Sequence, residues 1–183
     1  MSVLVVIPTF GRADRLPAVF RNAADHSASG TDVLLVVEAD DTESVQMCEQ
    51  FALPHLVNTG ARSYAGAINC AAETLEHDWL FTAADDLDSR RGWDVNALRL
   101  AELTGATADA IPGKVLHDYD HNFVDTELVQ VAMRRGVYAH CHTSIVEHRH
   151  PLWGLAEHDA TYDLSAAHYA TDAAEFERRM AAL

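Results

Sequence analysis

In Trp79-Leu80-Phe81-Thr82-Ala83-Ala84-Asp85-Asp86-Leu87-Asp88, an apolar run leads directly into three carboxylates. A short apolar run bounded by polar residues predicts a buried strand over residues 79–82. Two interpretations of the acids are open. They either supply oxygen ligands to a divalent cation at the carboxyl end of the strand, or they cap a helix that begins near Trp93.

Length and composition are those of one globular domain, with 183 residues, 49% hydrophobic and 22% charged. Thirteen Lys and Arg residues against 28 Asp and Glu give a formal net charge of −15. That charge disfavours non-specific binding to a nucleic-acid backbone or an anionic membrane. A nucleic-acid substrate held by a local basic patch stays open.

Cysteine usage and the N-terminus indicate the compartment. Cys48, Cys70 and Cys141 are scattered and lack CxxC spacing, as expected for buried thiols in a reducing environment. The N-terminus has no basic region and predicts a strand rather than a signal peptide. No apolar run approaches the roughly 18 residues needed to span a bilayer. We therefore expect a cytoplasmic protein without a membrane span.

Strands and helices alternate through the first hundred residues. Apolar runs predict four strands, at residues 3–7, 33–37, 55–57 and 79–82. Helical spacing or capping residues predict helices near residues 13–25, 42–51, 63–75 and 93–103. The second half is less regular, with candidate strands at 108–111, 137–141 and 144–146 and helices at 125–135 and 167–183. This order predicts an α/β fold with a mostly parallel sheet.

Polar residues follow three of the predicted strands. Pro8 and Thr9 follow the first, the acidic run 38–41 follows the second, and Asp85 to Asp88 follow the fourth. In open parallel sheets, ligands bind beyond the carboxyl ends of the strands. The recurrence favours a ligand site at that edge over a purely structural role for the acids.

Four motifs, taken in order, resemble those of glycosyltransferases with the GT-A fold, most closely the large family 2. The motifs are Val5–Arg12, with its Pro-Thr-x-x-Arg turn; Val36–Asp41; Asn58–Asn69 followed by Trp79–Asp86; and Phe123–Leu128 followed by Arg135-Gly136 and Val146–His148. The resemblance covers about residues 3–150. Within the family, the chain most resembles the compact members found in actinobacteria and their phages. It implies a single GT-A-like (Rossmann-like) domain, with a nucleotide-sugar-binding half at 1–104 and an acceptor and catalytic half at 105–183.

The resemblance implies a metal-dependent, inverting transfer of a sugar from a nucleotide-diphosphate donor, with UDP-sugars favoured, to a hydroxyl acceptor. The acceptor classes open to it are a small molecule, a glycan, or a hydroxylated base in phage DNA, and a phage enzyme would act in the host cytoplasm. Neither the acceptor nor an oligomeric state follows from the sequence.

Site residues are also implied by the resemblance. Asp85, with Asp86 or Asp88, and His148 would hold Mn²⁺ or Mg²⁺, and Asp125 would be the general base. Two positions depart from the family pattern. Ala83 stands where the first Asp of the Asp-x-Asp motif is expected, and Val124 stands where the Glu of the Glu-Asp pair is expected.

The donor would lie against the first two strand ends. Pro8 and Thr9 would offer backbone contacts, and Glu38 or Asp40 would accept hydrogen bonds from the nucleobase or ribose. Arg12, and more weakly Arg62, would pair with the diphosphate.

Competing interpretations remain at this stage. Asp125 could be a plain helix cap, and the arginines could be surface residues. The protein could instead be a nucleotidyltransferase, although Pro8 to Arg12 is a poor phosphate loop, or a non-catalytic sugar-nucleotide or protein-binding module. The histidines of His140–His142 and His148–His150 alternate, but they match none of the usual zinc signatures.

Overall fold

The computed structural model describes residues 2–28, 30–104, 116–117 and 119–183 of the chain. These residues form six strands and six helices, in the order β1 Val3–Thr9, α1 Leu16–His26, β2 Thr31–Glu38, α2 Thr42–Gln50, β3 His55–Asn58, α3 Tyr64–Thr74, β4 Trp79–Thr82, β5 Leu87–Ser89, α4 Trp93–Thr104, α5 Val124–Arg135, β6 Val146–His148 and α6 Ala160–Ala182. Short 3₁₀ helices cover Ala13–Arg15 and Pro151–Trp153.

The central sheet has four parallel strands in the order β3-β2-β1-β4. β1 pairs with strands on both sides, so that Val3 lies opposite Thr31 on β2 and opposite Trp79 on β4. Parallel neighbours need a crossover connection, and α1, α2 and α3 supply it. The predicted α/β class with a mostly parallel sheet flanked by helices is confirmed.

Each face of the sheet has its own apolar cluster, because successive side chains of a strand point to opposite faces. Leu4 and Val6 of β1 pack with Ile68 of α3 on one face. Val5 and Ile7 pack with Leu16 of α1 on the other. These residues are almost completely buried, as expected of a strand covered on both sides.

A second, two-stranded sheet lies beside the acidic stretch. β5 and β6 pair antiparallel, with Leu87 opposite His148. Asp85 and Asp86 lie in the turn between β4 and β5, while Asp88 lies on β5 itself. The interpretation of these acids as caps of the helix at Trp93 is therefore wrong. β6 begins two residues after the predicted start because its register is set by β5.

Three other sequence expectations need correction. β4 is half-buried rather than buried, since it ends the sheet order in the described part of the chain. The predicted strand at 137–141 is an irregular segment in which Val137 and Tyr138 are exposed. α6 begins seven residues before the predicted position 167, because Asp159 caps it by accepting from the Thr161 N–H at 3.0 Å. The predicted strand at 108–111 lies outside the described residues.

The helical region after α4 packs on the α3 face of the sheet. Val124 of α5 belongs to the same apolar cluster as Ile68, and Phe176 of α6 packs against that cluster. No helix in the described ranges is both long and apolar enough to cross a membrane.

Candidate active site

Three strand ends meet at the carboxyl edge of the sheet. β1 delivers Thr9, β2 delivers Glu38, and the turn after β4 delivers Asp85 and Asp86. The parallel arrangement, confirmed by the register of the four strands, brings these predicted site residues to one edge.

Asp85 is buried, and both its oxygens have protein partners. Arg12 Nη1 donates to Oδ1 at 2.5 Å, and the Thr9 hydroxyl donates to Oδ2 at 2.8 Å. Burial raises the pKa of Asp85, while Arg12 and Thr9 act in the opposite direction. Asp85 is thus the counter-ion of Arg12, which is a different environment from the open carboxylate expected of a cation ligand.

Asp86 has the free carboxylate oxygen of the pair. Its Oδ2 accepts from the Tyr162 hydroxyl at 3.0 Å and lies 3.1 Å from His148 Nε2. Its Oδ1 is buried and has no hydrogen-bond partner among the described residues. An unpaired buried carboxylate oxygen is costly, so this atom is the one in the site that most needs a ligand.

Asp86 and His148 fit two positions in the coordination shell of a divalent cation. Mg²⁺ and Mn²⁺ prefer oxygen ligands, and Mn²⁺ also accepts imidazole. Within the described ranges, no group of three or more His, Cys, Asp or Glu side chains is arranged to hold a metal ion. A cation at Asp86 would therefore take its remaining ligands from outside these side chains.

Arg12 is enclosed by carboxylates and an aromatic ring. Asp159 accepts from its Nε at 2.9 Å and from its Nη2 at 3.0 Å, while Asp85 holds Nη1. The guanidinium lies 4.6 Å from the ring centre of Tyr162. Burial disfavours the charged guanidinium, but Asp159 and Asp85 more than offset this and raise its pKa. Arg12 is a buried cation rather than a surface arginine.

Sequence reasoning missed Asp159 and Tyr162, which bring the first turn of α6 onto the site. The terminal helix was predicted to begin at 167, so both residues fell outside any element. The signal that could have found them is the Asp-Ala-Thr run at 159–161, since Asp is a preferred N-cap residue.

The residues predicted to hold the nucleobase and ribose lie beside β2. Glu38 accepts from Asn58 Nδ2 at 2.9 Å, and Asp40 is exposed and pairs with Arg62 at 2.9 Å. The Arg62 guanidinium lies 4.3 Å from the ring centre of Phe10, which follows β1 directly. The structure brings these residues to the same edge as Thr9, and their role in donor binding stays a prediction.

Asp125 lies in the first turn of α5 and is not its N-cap. Phe123 occupies the N-cap position, and Asp125 Oδ1 accepts from the N–H of Thr126 at 2.7 Å. Tyr64 of α3 lies beside the acidic turn, where its hydroxyl donates to the Ala83 carbonyl at 3.1 Å. Burial raises the pKa of the Tyr64 phenol, and the charges of Asp125 and Asp86 raise it further. Both carboxylates thus act on one phenol at the sheet edge.

His121 is a third residue that the sequence did not single out. Its side chain is exposed, yet desolvation by its neighbours lowers its pKa; Asp172 and Asp86 oppose that shift, and the charges of His168 and Arg12 reinforce it. His121 therefore lies within electrostatic range of the Arg12 and Asp86 pair. Its place in a polar loop carried no periodicity that could have marked it.

Comparison with known proteins identifies the family. A family model described as Glycosyl transferase family 2 matches residues 4–134, which is more than half of the chain. Comparison with curated proteins found no match. The match includes the edge residues from Pro8 to Asp86 and also Asp125, and the parallel sheet flanked by helices is that of a GT-A, Rossmann-like domain. The chain therefore belongs to glycosyltransferase family 2.

Proposed function

We propose that this chain is a metal-dependent, inverting glycosyltransferase that moves a sugar from a nucleotide-diphosphate donor, UDP-sugars first, to a hydroxyl acceptor. One observation carries the proposal: at the ligand-binding edge of the sheet, the buried Oδ1 of Asp86 has no hydrogen-bond partner among the described residues, while Oδ2 of the same carboxylate lies 3.1 Å from His148 Nε2. Family membership supports glycosyl transfer as the reaction class.

Asp86 and His148 would hold Mn²⁺ or Mg²⁺. Asp85 would keep Arg12 in place beside them. When bound, such a cation supplies positive charge that stabilises the departing diphosphate. Compared with the sequence-based expectation, this proposal moves the leading metal role from Asp85 to Asp86. The reason is that both Asp85 oxygens already have partners.

Arg12 would bind the diphosphate in exchange for Asp159. The bidentate bonds from Arg12 to Asp159 match the way a guanidinium binds a phosphate. Asp159 is only partly buried, whereas Asp85 is fully enclosed, so Asp159 is the partner that a phosphate can replace. Asp85 would then keep the guanidinium aimed at the site.

The nucleoside would lie along the β1 and β2 ends. Pro8 and Thr9 would offer backbone contacts there, and Glu38 or Asp40, which now accept from Asn58 and Arg62, would accept from a ribose or nucleobase. Arg62, on the Phe10 ring, would close this end of the donor site.

Asp125 would act as the general base. It would take the proton from the acceptor hydroxyl while that oxygen attacks the anomeric carbon. The bond from that carbon to the diphosphate oxygen breaks, and its electron pair leaves with the diphosphate. One displacement with one base gives inversion at the anomeric carbon. Acceptors compatible with this chemistry are a small molecule, a glycan or a hydroxylated base in DNA.

A non-catalytic sugar-nucleotide-binding module is the second candidate. Ala83 favours it, since this residue packs against the apolar cluster beneath the sheet at the position where the family places an acid. Such a module would bind nucleotide without releasing it from a donor.

Nucleotide release separates the two candidates. We would incubate the protein with a panel of UDP- and GDP-sugars, with Mn²⁺ or with a chelator, and measure free UDP or GDP. The proposal predicts release from at least one donor with Mn²⁺ and loss of release with the chelator. In parallel, UDP with Mn²⁺ should raise the melting temperature. A raised melting temperature without release identifies a binding module, and no response to any nucleotide rules out both.

A further inference from the structure

A single carboxylate from α6 holds the turn that leads into α5. Asp172 is only 3% exposed. Its Oδ1 accepts from the N–H of Asp120 at 3.1 Å. Its Oδ2 accepts from the N–H of His121 at 3.0 Å and of Asn122 at 2.7 Å. Three consecutive backbone donors are thus satisfied by one side chain that lies 50 to 52 positions further along the chain.

Further bonds lock the same turn to α6. Asn122 Nδ2 donates to the Ser165 carbonyl at 2.9 Å and to Asp172 Oδ2 at 3.2 Å. The Ser165 hydroxyl donates back to Asn122 Oδ1 at 2.9 Å. Bonds to an ionised carboxylate are stronger than neutral ones. Burial opposes ionisation of Asp172, but the N–H groups of Asn122, His121 and Asp120 bring its pKa below the usual value.

The turn needs this support because its last residue has an unfavourable backbone. Phe123 has φ +66° and ψ 0°, which is the left-handed region that L side chains rarely adopt. Its side chain makes no cap bond to the helix, and its ring is stacked on Phe176 of α6 at 5.2 Å between centres. A strained backbone of this kind persists only where its surroundings over-determine it.

Asp125 follows that strained residue by two positions. The turn therefore sets where the backbone of Asp125 lies; the side chain itself is exposed and, among the described residues, is bonded only by the N–H and hydroxyl of Thr126. A catalytic group displaced by about 1 Å can lose about 10²-fold in rate.

We propose that Asp172 is a positioning residue, whose carboxylate fixes the turn 120–123 and thereby aims Asp125 at the acceptor hydroxyl. The inference rests on the proposed function of Asp125. It assigns a role to α6, which lies entirely beyond the stretch matched by the family at 4–134. The active site of this chain is then completed by a helix outside the family pattern.

The test compares Asp172→Asn with Glu177→Gln, which removes an exposed carboxylate from the same helix. The first readout is hydrogen exchange of the backbone amides 120–122, which needs no activity. We expect about 10-fold faster exchange in Asp172→Asn and no change in Glu177→Gln. The second readout is steady-state kinetics with the best donor. We expect kcat lower by about 10²-fold with the donor KM unchanged.

Each outcome decides the inference. Faster exchange with an unchanged kcat, or unchanged exchange, overturns the positioning role, as does a rise in donor KM equal to the fall in kcat. If the wild type releases no nucleotide from any donor, the proposed function fails. The exchange result would still show whether Asp172 holds the backbone of residues 120–122. If Asp172→Asn does not fold, Ser165→Ala takes its place in the test. We then expect faster exchange and a lower kcat at constant KM, and an unchanged kcat would contradict the inference.

Discussion

The central sheet and the two C-terminal helices are held by different kinds of contact. The sheet is fixed by aliphatic side chains such as Val6 and Leu35, which are completely buried. Phe176 of α6 also packs against the apolar cluster, but α5 and α6 are joined in addition by buried polar groups, among them Glu127 and Asp172. Hydrophobic burial is non-directional, whereas a buried polar group is stable only with a partner correctly placed. The sheet can therefore be predicted from the pattern of apolar residues, whereas the packing of α5 and α6 depends on individual polar pairs.

Glu127 is the clearest pair in the helical region. It accepts from Arg179 Nε at 2.9 Å and from Nη2 at 2.5 Å, and it also accepts a short bond from the Tyr119 hydroxyl. Burial opposes the ionisation of Glu127, but Arg179 and Tyr119 lower its pKa below the usual value. This cluster ties α6 to α5 much as aliphatic contacts tie α3 to the sheet.

The candidate active site lies where the two regions meet. Asp86 comes from the sheet edge, while His148 and Tyr162, which contact it, come from the later part of the chain. Substitutions in one region or the other should therefore separate donor binding, catalysis and stability.

The largest effect is expected at the base, on the helical side. Asp125→Asn removes the proton acceptor and should lower kcat by about 10²–10⁴-fold. Donor binding, measured as the melting shift with UDP and Mn²⁺, should stay within the error of wild type because it depends on the sheet edge. Asp25→Asn, an exposed acid on α1, is the matched control. Equal activity in the two variants would remove Asp125 from the mechanism.

The sheet should show the largest effect on stability. Leu35→Ala removes a completely buried side chain from the middle of β2 and should cost about 2–5 kcal/mol of unfolding free energy. Urea unfolding followed by circular dichroism measures it. A loss below about 1 kcal/mol would show that burial of aliphatic side chains is not what stabilises the sheet.

A smaller, pH-dependent loss is expected between the helices. Arg179→Met leaves Glu127 without its cation and should cost about 2 kcal/mol at pH 7, less than a fully buried pair because Arg179 is 29% exposed. Because the folded pKa of Glu127 lies below its ordinary value of 4.5, its stabilisation is present above that pH and is lost as pH falls.

Urea unfolding of wild type and Arg179→Met at pH 7 and near pH 3.5 checks the sign. The difference between the two proteins should shrink at the lower pH. A difference that is the same at both values would mean that the Glu127 charge does not join the helices.

The smallest effect is expected at the surface of the donor side. Arg62 and Asp40 are exposed at 57% and 61%, so Arg62→Ala should change the unfolding free energy by less than about 0.5 kcal/mol. The same variant should weaken the UDP-dependent melting shift if Arg62 closes the donor site. A large stability loss would place Arg62 among the structural residues instead.

The four strands of the sheet could be predicted from sequence to within two residues at each end. Residues 79–82 were predicted as a strand and form β4, and the run 55–57 is contained in β3. Continuous apolar runs and capping residues such as Ser63, which accepts from the Gly66 N–H at 3.0 Å, are local signals. Local signals suffice where neighbouring elements pack by apolar faces.

The partners in the site could not be predicted, because they depend on contacts across long separations. Arg12 bonds to Asp159, 147 positions away, and Asp86 meets Tyr162 across 76 positions. The sequence indicated the acidic turn but not which acid is neutralised by Arg12. That distinction between Asp85 and Asp86 follows from the bonds made by each carboxylate.

Binding of Mn²⁺ in the presence of UDP is the direct test of whether Asp86 is a metal ligand. Electron paramagnetic resonance of free Mn²⁺ would be recorded for wild type, for Asp86→Asn and for the control Asp88→Asn. In wild type, the Asp88 carboxylate is held by Arg149, which directly follows β6, at 2.6 Å. We expect wild type and Asp88→Asn to bind Mn²⁺ equally well, and the affinity of Asp86→Asn for Mn²⁺ to be lower by at least about 10-fold. Equal binding by Asp86→Asn and wild type would contradict this expectation.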